Sequence, residues 1–248
     1  MTDKTPSWQR WFVLGMALFG TGVTSSLGLW QLDRAEEKIK LQSARQQQSA
    51  KEVLDERALQ LEGEHSASQR GEWMHRRLLL TGQWLPEHTV FLDNRQMNAK
   101  PGFFVLTPMR LKGSQQVLLV QRGWVQRSFT ERTALPEIKT PLGQVTVSGH
   151  LAPWPSRLYD FGGLEKGLIR QNIDLSGFKN ETGLDLLEVS MLQSGAASDG
   201  LLREWPMAAS GVDKHHGYAF QWFGLSGLIV LLYVWFQIVQ VRRTKSPR

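Results

Sequence analysis

The sequence predicts a membrane protein of α+β class in which two transmembrane α-helices flank a β-rich domain built as an antiparallel sheet or partly closed barrel. Three observations carry that prediction. Two long uncharged apolar runs lie near the ends of the chain, at Trp11–Trp30 and Tyr218–Val241. Between them come short runs rich in β-branched and aromatic residues, separated by Gly, Pro, Asn and Asp. Most of the formal charge of +6 lies at the C-terminal end: residues 31–217 hold 23 basic and 22 acidic groups, whereas Arg242, Arg243, Lys245 and Arg248 follow the second run with no acid among them.

Residues 1–10 form a short N-terminal tail, and residues 11–30 read WFVLGMALFGTGVTSSLGLW without a charge. As a helix rising about 1.5 Å per residue, this run matches a hydrocarbon core about 30 Å thick. A cleaved signal peptide is the competing reading. The run exceeds the apolar stretch of about 7–15 residues usual in such signals, and GLWQLDR offers no small-residue cleavage site.

Residues 218–241, YAFQWFGLSGLIVLLYVWFQIVQV, include thirteen Leu, Ile, Val or Phe residues, each favouring insertion by about 0.3–0.6 kcal/mol near the helix centre. Trp8, Trp11, Trp30 and Trp222 suit interfacial anchoring. Small residues, Gly22 and Ser26 in the first run and Gly224 and Gly227 in the second, offer places for the helices to approach closely. The basic tail at residues 242–248 predicts a cytoplasmic C-terminus, and two spans then put the N-terminus on the same side and residues 31–217 on the other. With no Arg-rich, Ser-rich presequence before Trp8, the expected setting is a bacterial inner membrane with a periplasmic domain, in contact with the lipid bilayer.

Within the middle region, residues 33–62 are rich in helix formers, free of Gly and Pro, and only thinly apolar, which predicts one or two exposed helices continuing out of the first span. A polar, Gly-containing hinge follows, and residues 72–205 carry the strand signals. A short helix is expected at Leu175–Glu181, capped by Asp174 and closed by Gly183.

Several function classes fall away. The near-neutral middle has no clustered basic face for phosphates, so no nucleic-acid partner is expected. Without cysteine there are no disulfides, thiolate metal sites or cysteine nucleophiles. P-loop, GxGxxG, HExxH and GxSxG patterns are missing. Ser176-Gly177-Phe178-Lys179 fits the S-x-x-K of a Ser-Lys hydrolase, but its companion motifs are absent and the stretch also reads as a capped surface turn. His65, His75, His88 and His150 are scattered among polar segments. Arg122-Gly123-Trp124 and Asp93-Asn94-Arg95 stand at strand-to-turn positions, where they either form a recognition surface or lock loops, the second being the weightier reading.

His215 and His216 differ from the other histidines by position, at the lip of the second span. A helix beginning near Asp213 places residues 215, 218, 219, 222 and 226 on one face. Imidazole is a good axial ligand for haem iron, and an aromatic-lined face at a membrane boundary suits an apolar ring with charged propionates. The bland reading, histidines solvated among head groups, weighs more on residue types alone.

Several stretches, in one order along nearly the whole chain, resemble the Surfeit locus protein 1 family of cytochrome c oxidase assembly factors. They are LGLWQLDRAEEK at Leu27–Lys38, TGQW at Thr81–Trp84, LDNR at Leu92–Arg95, PGFFVLTP at Pro101–Pro108, LLVQRGWV at Leu118–Val125, VSGHL at Val147–Leu151, RQNID at Arg170–Asp174, LLREWP at Leu201–Pro206 and HHGYAFQWFG at His215–Gly224. The resemblance implies a non-enzymatic, two-span inner-membrane protein that assists insertion of haem a into the large subunit of cytochrome c oxidase, alongside the haem A synthesis machinery. Its pattern places the suggested iron ligand three residues before the Tyr, which here is His215, and Tyr218 and Trp222, on the same helix face, are expected to line the haem. His216 stands where the family more often has an apolar residue, so its role stays open, and Gln126 follows RGWV where members often carry Pro. A scaffold for an oxidase subunit that never touches haem is the nearest rival. A membrane-anchored sensor is a more distant one, since only seven residues follow Val241.

Overall fold

An uncharged run followed by strong helix formers gives one continuous helix, α1 (Ser7–Ala50), which contains the first apolar run and carries it into the polar stretch behind. The computed structural model describes residues 7–60, 71–128, 130–131, 135–159, 166–205 and 211–239. The chain divides into two compact units, residues 1–43 with 207–248, and residues 44–206. The N-terminal tail up to residue 6, the basic tail at 242–248 and most of the predicted hinge lie outside the described residues.

The first unit is a helix pair. Its second member, α4 (Val212–Val234), begins ahead of the predicted span at Tyr218 and ends in a π-helical turn, Trp235–Val239. Both helices are long and apolar enough to cross a membrane. Along their apolar runs both helices expose large apolar side chains, Phe19 at 68% and Phe220 at 80% for example, an arrangement compatible with lipid anchoring.

The residues most withdrawn from the surface, Thr24, Gly28, Ala35, Ala219 and Ser226, are small. With the half-buried positions, the seam on α1 includes Leu14, Ala17, Thr21, Thr24, Gly28, Gln31 and Ala35, and on α4 His215, Ala219, Trp222, Ser226, Ile229 and Tyr233. Steps alternate between three and four residues, the 3.5-residue period of a left-handed helix pair. Ser25 meets Ser226, and Gly20 approaches Ile229, so the helices run antiparallel. Small side chains at the most buried points of the seam let two helix backbones approach closely, a packing also expected where lipid removes the hydrophobic drive between helices.

The seam corrects one expectation. Gly22, Gly224 and Gly227 have no neighbour where a Cβ would stand, and Ser26 is exposed, so none of the four brings the helices together. Gly28 does: a Cβ there would lie 2.8 Å from the Phe223 ring.

In the second unit the polar stretch after α1 makes one further short helix, α2 (Glu56–Gln60), whose Ala58 N–H donates to Asp55 Oδ1 at 3.0 Å. The strands are β1 (Arg77–Trp84), β2 (Val90–Met97), β3 (Lys100–Leu111), β4 (Val117–Gln126), β5 (Gln144–Pro153), β6 (Ile169–Arg170) and β7 (Leu186–Gln193). Helix α3 (Leu175–Thr182) precedes β7 and has the caps expected of it: Asp174 accepts from the Gly177 N–H at 2.9 Å, and Gly183 takes the left-handed conformation at φ 68°.

The strands run in the order β1-β5-β7-β4-β3, with β2 and β6 beyond, and β3 also pairs with β1, so five strands close into a barrel. The closure is complete rather than partial because β3, the longest strand, serves two partners on one edge. Val90–Leu92 and Arg95–Met97 of β2 pair along its first half, and Gly82, Gln83 and Trp84 of β1 pair with Leu111, Arg110 and Met109 along its second. Gly82 permits that approach, since a Cβ there would meet the Arg110 carbonyl and come within 2.8 Å of Met109 Cγ. Closure leaves no free edge among these five strands.

The pairing is mixed rather than wholly antiparallel: β4 and β7 are parallel, with Val117 opposite Leu186 and Leu119 opposite Ser190. A parallel pair needs a long crossover, and here the intervening chain carries β5, β6 and α3. Leu78, Leu80, Trp84, Met109, Leu111, Leu118, Val120, Leu151 and Met191 form the main core together with Leu59 of α2. Phe178 of α3 covers a second core of Leu92, Leu106, Leu119 and Leu186.

Candidate functional site

His215 lies in the first turn of α4, which starts from Gly211 in the left-handed conformation at φ 93° and has no side-chain cap. Asp213 in that turn complements the helix N-terminus. The His215 Nδ1 stands 2.7 Å from Gln31 Oε1. A carbonyl oxygen only accepts, so this contact is a hydrogen bond in the tautomer that carries its proton on Nδ1, in which Nε2 keeps its lone pair. His215 makes no other side-chain hydrogen bond among the described residues.

At about 100° per residue, Trp222 stands about 20° around the helix from His215 and Tyr218 about 60°. The structure accordingly puts His215 and Trp222, both half-buried, on the seam with α1, and leaves Tyr218 at its margin, 51% exposed. His216 is exposed on another side of the helix. The predicted trio is thus split between the seam and its flank. One turn or more deeper, Ser25 and Ser226 share a hydrogen bond of 2.9 Å.

Gln31 has no part in the sequence-level site. It lies within the resembling stretch Leu27–Lys38, and taken alone it is a polar amide directly behind Trp30 at the end of an apolar run. Antiparallel pairing of the two runs is what sets it opposite His215.

In the barrel unit the two arginine motifs lock structure. Arg122 is 1% exposed; its guanidinium donates to Thr140 Oγ1 at 2.7 Å and to the Lys139 carbonyl at 3.0 Å, and lies 4.8 Å from the Trp84 ring centre. Asp199 approaches it at 3.5 Å, and burial pushes the Arg122 pKa down. Arg203 Nε donates to the Arg122 carbonyl at 2.8 Å. Arg95, also buried, ties β2 to the carbonyls of Ser156 and Gln171, while the Trp124 indole N–H donates to the Arg95 carbonyl at 2.9 Å. Asp93 pairs with Arg127 at 3.3 Å. With Asn94, Ile169, Arg170 and Gln171 they line a cleft of about 320 Å³.

The remaining sequence candidates are dispersed. His150, on β5, and His75, just before β1, are partly buried, His88 sits in the 3-10 turn Pro86–His88, and His65 lies outside the described residues. Ser176 Oγ donates to the capping carboxylate of Asp174 at 2.5 Å, the bond of a capped turn. Among the described residues no three His, Cys, Asp or Glu side chains gather as a metal site.

The model of the SURF1 family matches residues 18–227 of the chain. A SURF1-like protein of Rickettsia conorii is 28% identical over 219 residues, covering 84% of each chain. The Surfeit locus protein 1 of Arabidopsis thaliana is 31% identical over 134 residues, covering 50% of this chain and 36% of that protein. The cytochrome oxidase assembly protein SHY1 of Saccharomyces cerevisiae is 27% identical over 119 residues, covering 48% of this chain and 29% of that protein. The family match takes in α1 from Leu18 onward, the whole barrel and the His215 end of α4, and the chain belongs to the SURF1 family.

Proposed function

We propose that this protein is a non-enzymatic, membrane-anchored assembly factor for cytochrome c oxidase, which presents haem a to the large catalytic subunit with His215 as an axial ligand. The name of the yeast relative, a cytochrome oxidase assembly protein, supports the assembly role. The observation that carries the haem reading is the His215 ring, anchored through Nδ1 at the head of an exposed apolar helix with Nε2 left open. The donor chemistry fits: haem a supplies an iron that takes a neutral imidazole nitrogen, and its ring is apolar. Trp222 supplies aromatic surface in line with His215, and Tyr218 flanks it with a hydroxyl at the boundary.

The setting that suits this role is a bacterial inner membrane. Both termini lie in the cytoplasm, where the basic tail belongs, and the barrel lies in the periplasm, with the oxidase large subunit and the haem A synthesis machinery as partners in the bilayer.

The test is spectroscopic. The full chain, purified from cells that make haem a, is expected to carry a haem absorption spectrum that His215→Ala loses. Equal haem in both, or none in either, defeats ligation by His215 and leaves a scaffold for an oxidase subunit as the reading.

A further inference from the structure

The geometry points to Gln31 as the positioning residue of His215, holding the imidazole in the tautomer and orientation that offer Nε2 to a metal. The inference rests on the haem reading proposed above and adds a residue to it. A free imidazole can carry its proton on either nitrogen, and only the unprotonated one can ligate. Gln31 Oε1 lies 2.7 Å from Nδ1, so the proton belongs on Nδ1 and the lone pair on Nε2.

The two residues also hold one another in place. Gln31 belongs to the same seam of α1 as Thr24, Gly28 and Ala35, and His215 to the same seam of α4 as Ala219 and Ser226, so both side chains issue from packed helix faces rather than loops. The neighbours of Gln31 on α1, Trp30 and Leu32, face outward at 49% and 38% exposure. An acceptor on the remote nitrogen fixes ring orientation and raises the basicity of the ligating one, and losing such a partner typically weakens metal binding about 10- to 100-fold.

The experiment compares wild type, Gln31→Leu, Gln31→Glu and His215→Ala in the full chain. Nitrogen NMR of histidine-labelled, haem-free protein reads the tautomer; haem a occupancy and reduction potential are read on protein from cells that make haem a. Wild type is expected to show protonated Nδ1 and bare Nε2. Gln31→Leu should lose that preference and bind haem a about 10- to 100-fold more weakly. Gln31→Glu, an acceptor with full negative charge, should keep the tautomer and lower the potential of the bound iron.

If His215→Ala retains haem, ligation by His215 fails whatever Gln31 does. If His215→Ala loses haem while Gln31→Leu keeps the wild-type tautomer and affinity, ligation stands and the role of Gln31 is overturned. Should Gln31→Leu fail to fold, Gln31→Glu decides: a potential equal to wild type overturns the inference, and a lowered one upholds it.

Discussion

Ser25 and Ser226 place their hydroxyl oxygens 2.9 Å apart across the seam of α1 and α4, although 201 residues separate them in the chain. The chain has no cysteine, so this proximity can be read covalently. Ser25→Cys with Ser226→Cys should form an intramolecular disulfide under mild oxidation, seen as a mobility shift reversed by reductant. The pair Gly22→Cys with Gly227→Cys, where neither position has a neighbour, should not. The reverse pattern would mean that the helices meet on other faces.

Gly28 sets how closely the helices pack. A leucine there must displace the Phe223 ring, which already lies 2.8 Å from where a Cβ would stand. Overpacking of this kind costs about 1–3 kcal/mol. Added to the Ser25→Cys, Ser226→Cys variant, Gly28→Leu should therefore slow disulfide formation severalfold, whereas Gly15→Leu, in open space, should leave it unchanged.

Barrel closure depends on Gly82. Its substitution by valine drives a branched side chain into Met109 and the Arg110 carbonyl, so β1 and β3 can pair only after the backbones shift. A loss of about 1–3 kcal/mol or more is expected in urea denaturation. Gly113→Ala, at a turn with open space but a left-handed φ of 76°, should lose less, about 1 kcal/mol.

Arg122 is buried on Trp84 and bonded to Thr140 and Lys139. Arg122→Ala removes the packing of the side chain and leaves the Thr140 hydroxyl and the Lys139 carbonyl short of a donor, for a loss of about 2–4 kcal/mol. Arg122→Lys should recover little, because one ammonium cannot reproduce a planar fork over a ring. Thermal unfolding of the three proteins checks the order.

His75 and His150 are both held below the usual histidine pKa, His75 by burial and then by Arg45 and His150, and His150 by burial and then by Arg77. The unfolded chain therefore binds more protons than the folded one as pH falls below about 6.5. Stability is full above that pH and declines down to the folded values, below which the loss is complete. Denaturation at pH 7.5 and 5.5 should show this acid weakening, reduced in His75→Asn with His150→Gln. Asparagine is chosen at position 75 because His75 sits at a positive φ of 69°.

What could be read from the sequence was local. Uncharged runs reveal apolar helices because the signal needs no partner, and Asp174 and Gly183 reveal α3 because a cap lies within a turn of what it caps. His215 stood out as a titratable residue at the edge of such a run. Non-local relationships were not readable. The parallel pairing of Val117 with Leu186 and the return of β3 to Gly82 have no signature in either partner alone. Gly22 and Ser26 look as suitable for helix contact as Gly28, and only the position of Phe223 on the other helix selects among them. Gln31 was hidden for the same reason, since an amide behind a tryptophan means little until a histidine is set against it.

The hydrogen bond between Gln31 and His215 joins positions 184 residues apart, one on the first helix of the chain and the other on the last. During synthesis it is therefore among the last contacts to become possible, after every strand of the barrel has been made. A chain halted ahead of Gly211 has the first helix and all seven strands, but no imidazole at this position. The bond thus works as a mark of completion, formed only once the chain has been made through the first turn of its last α-helix.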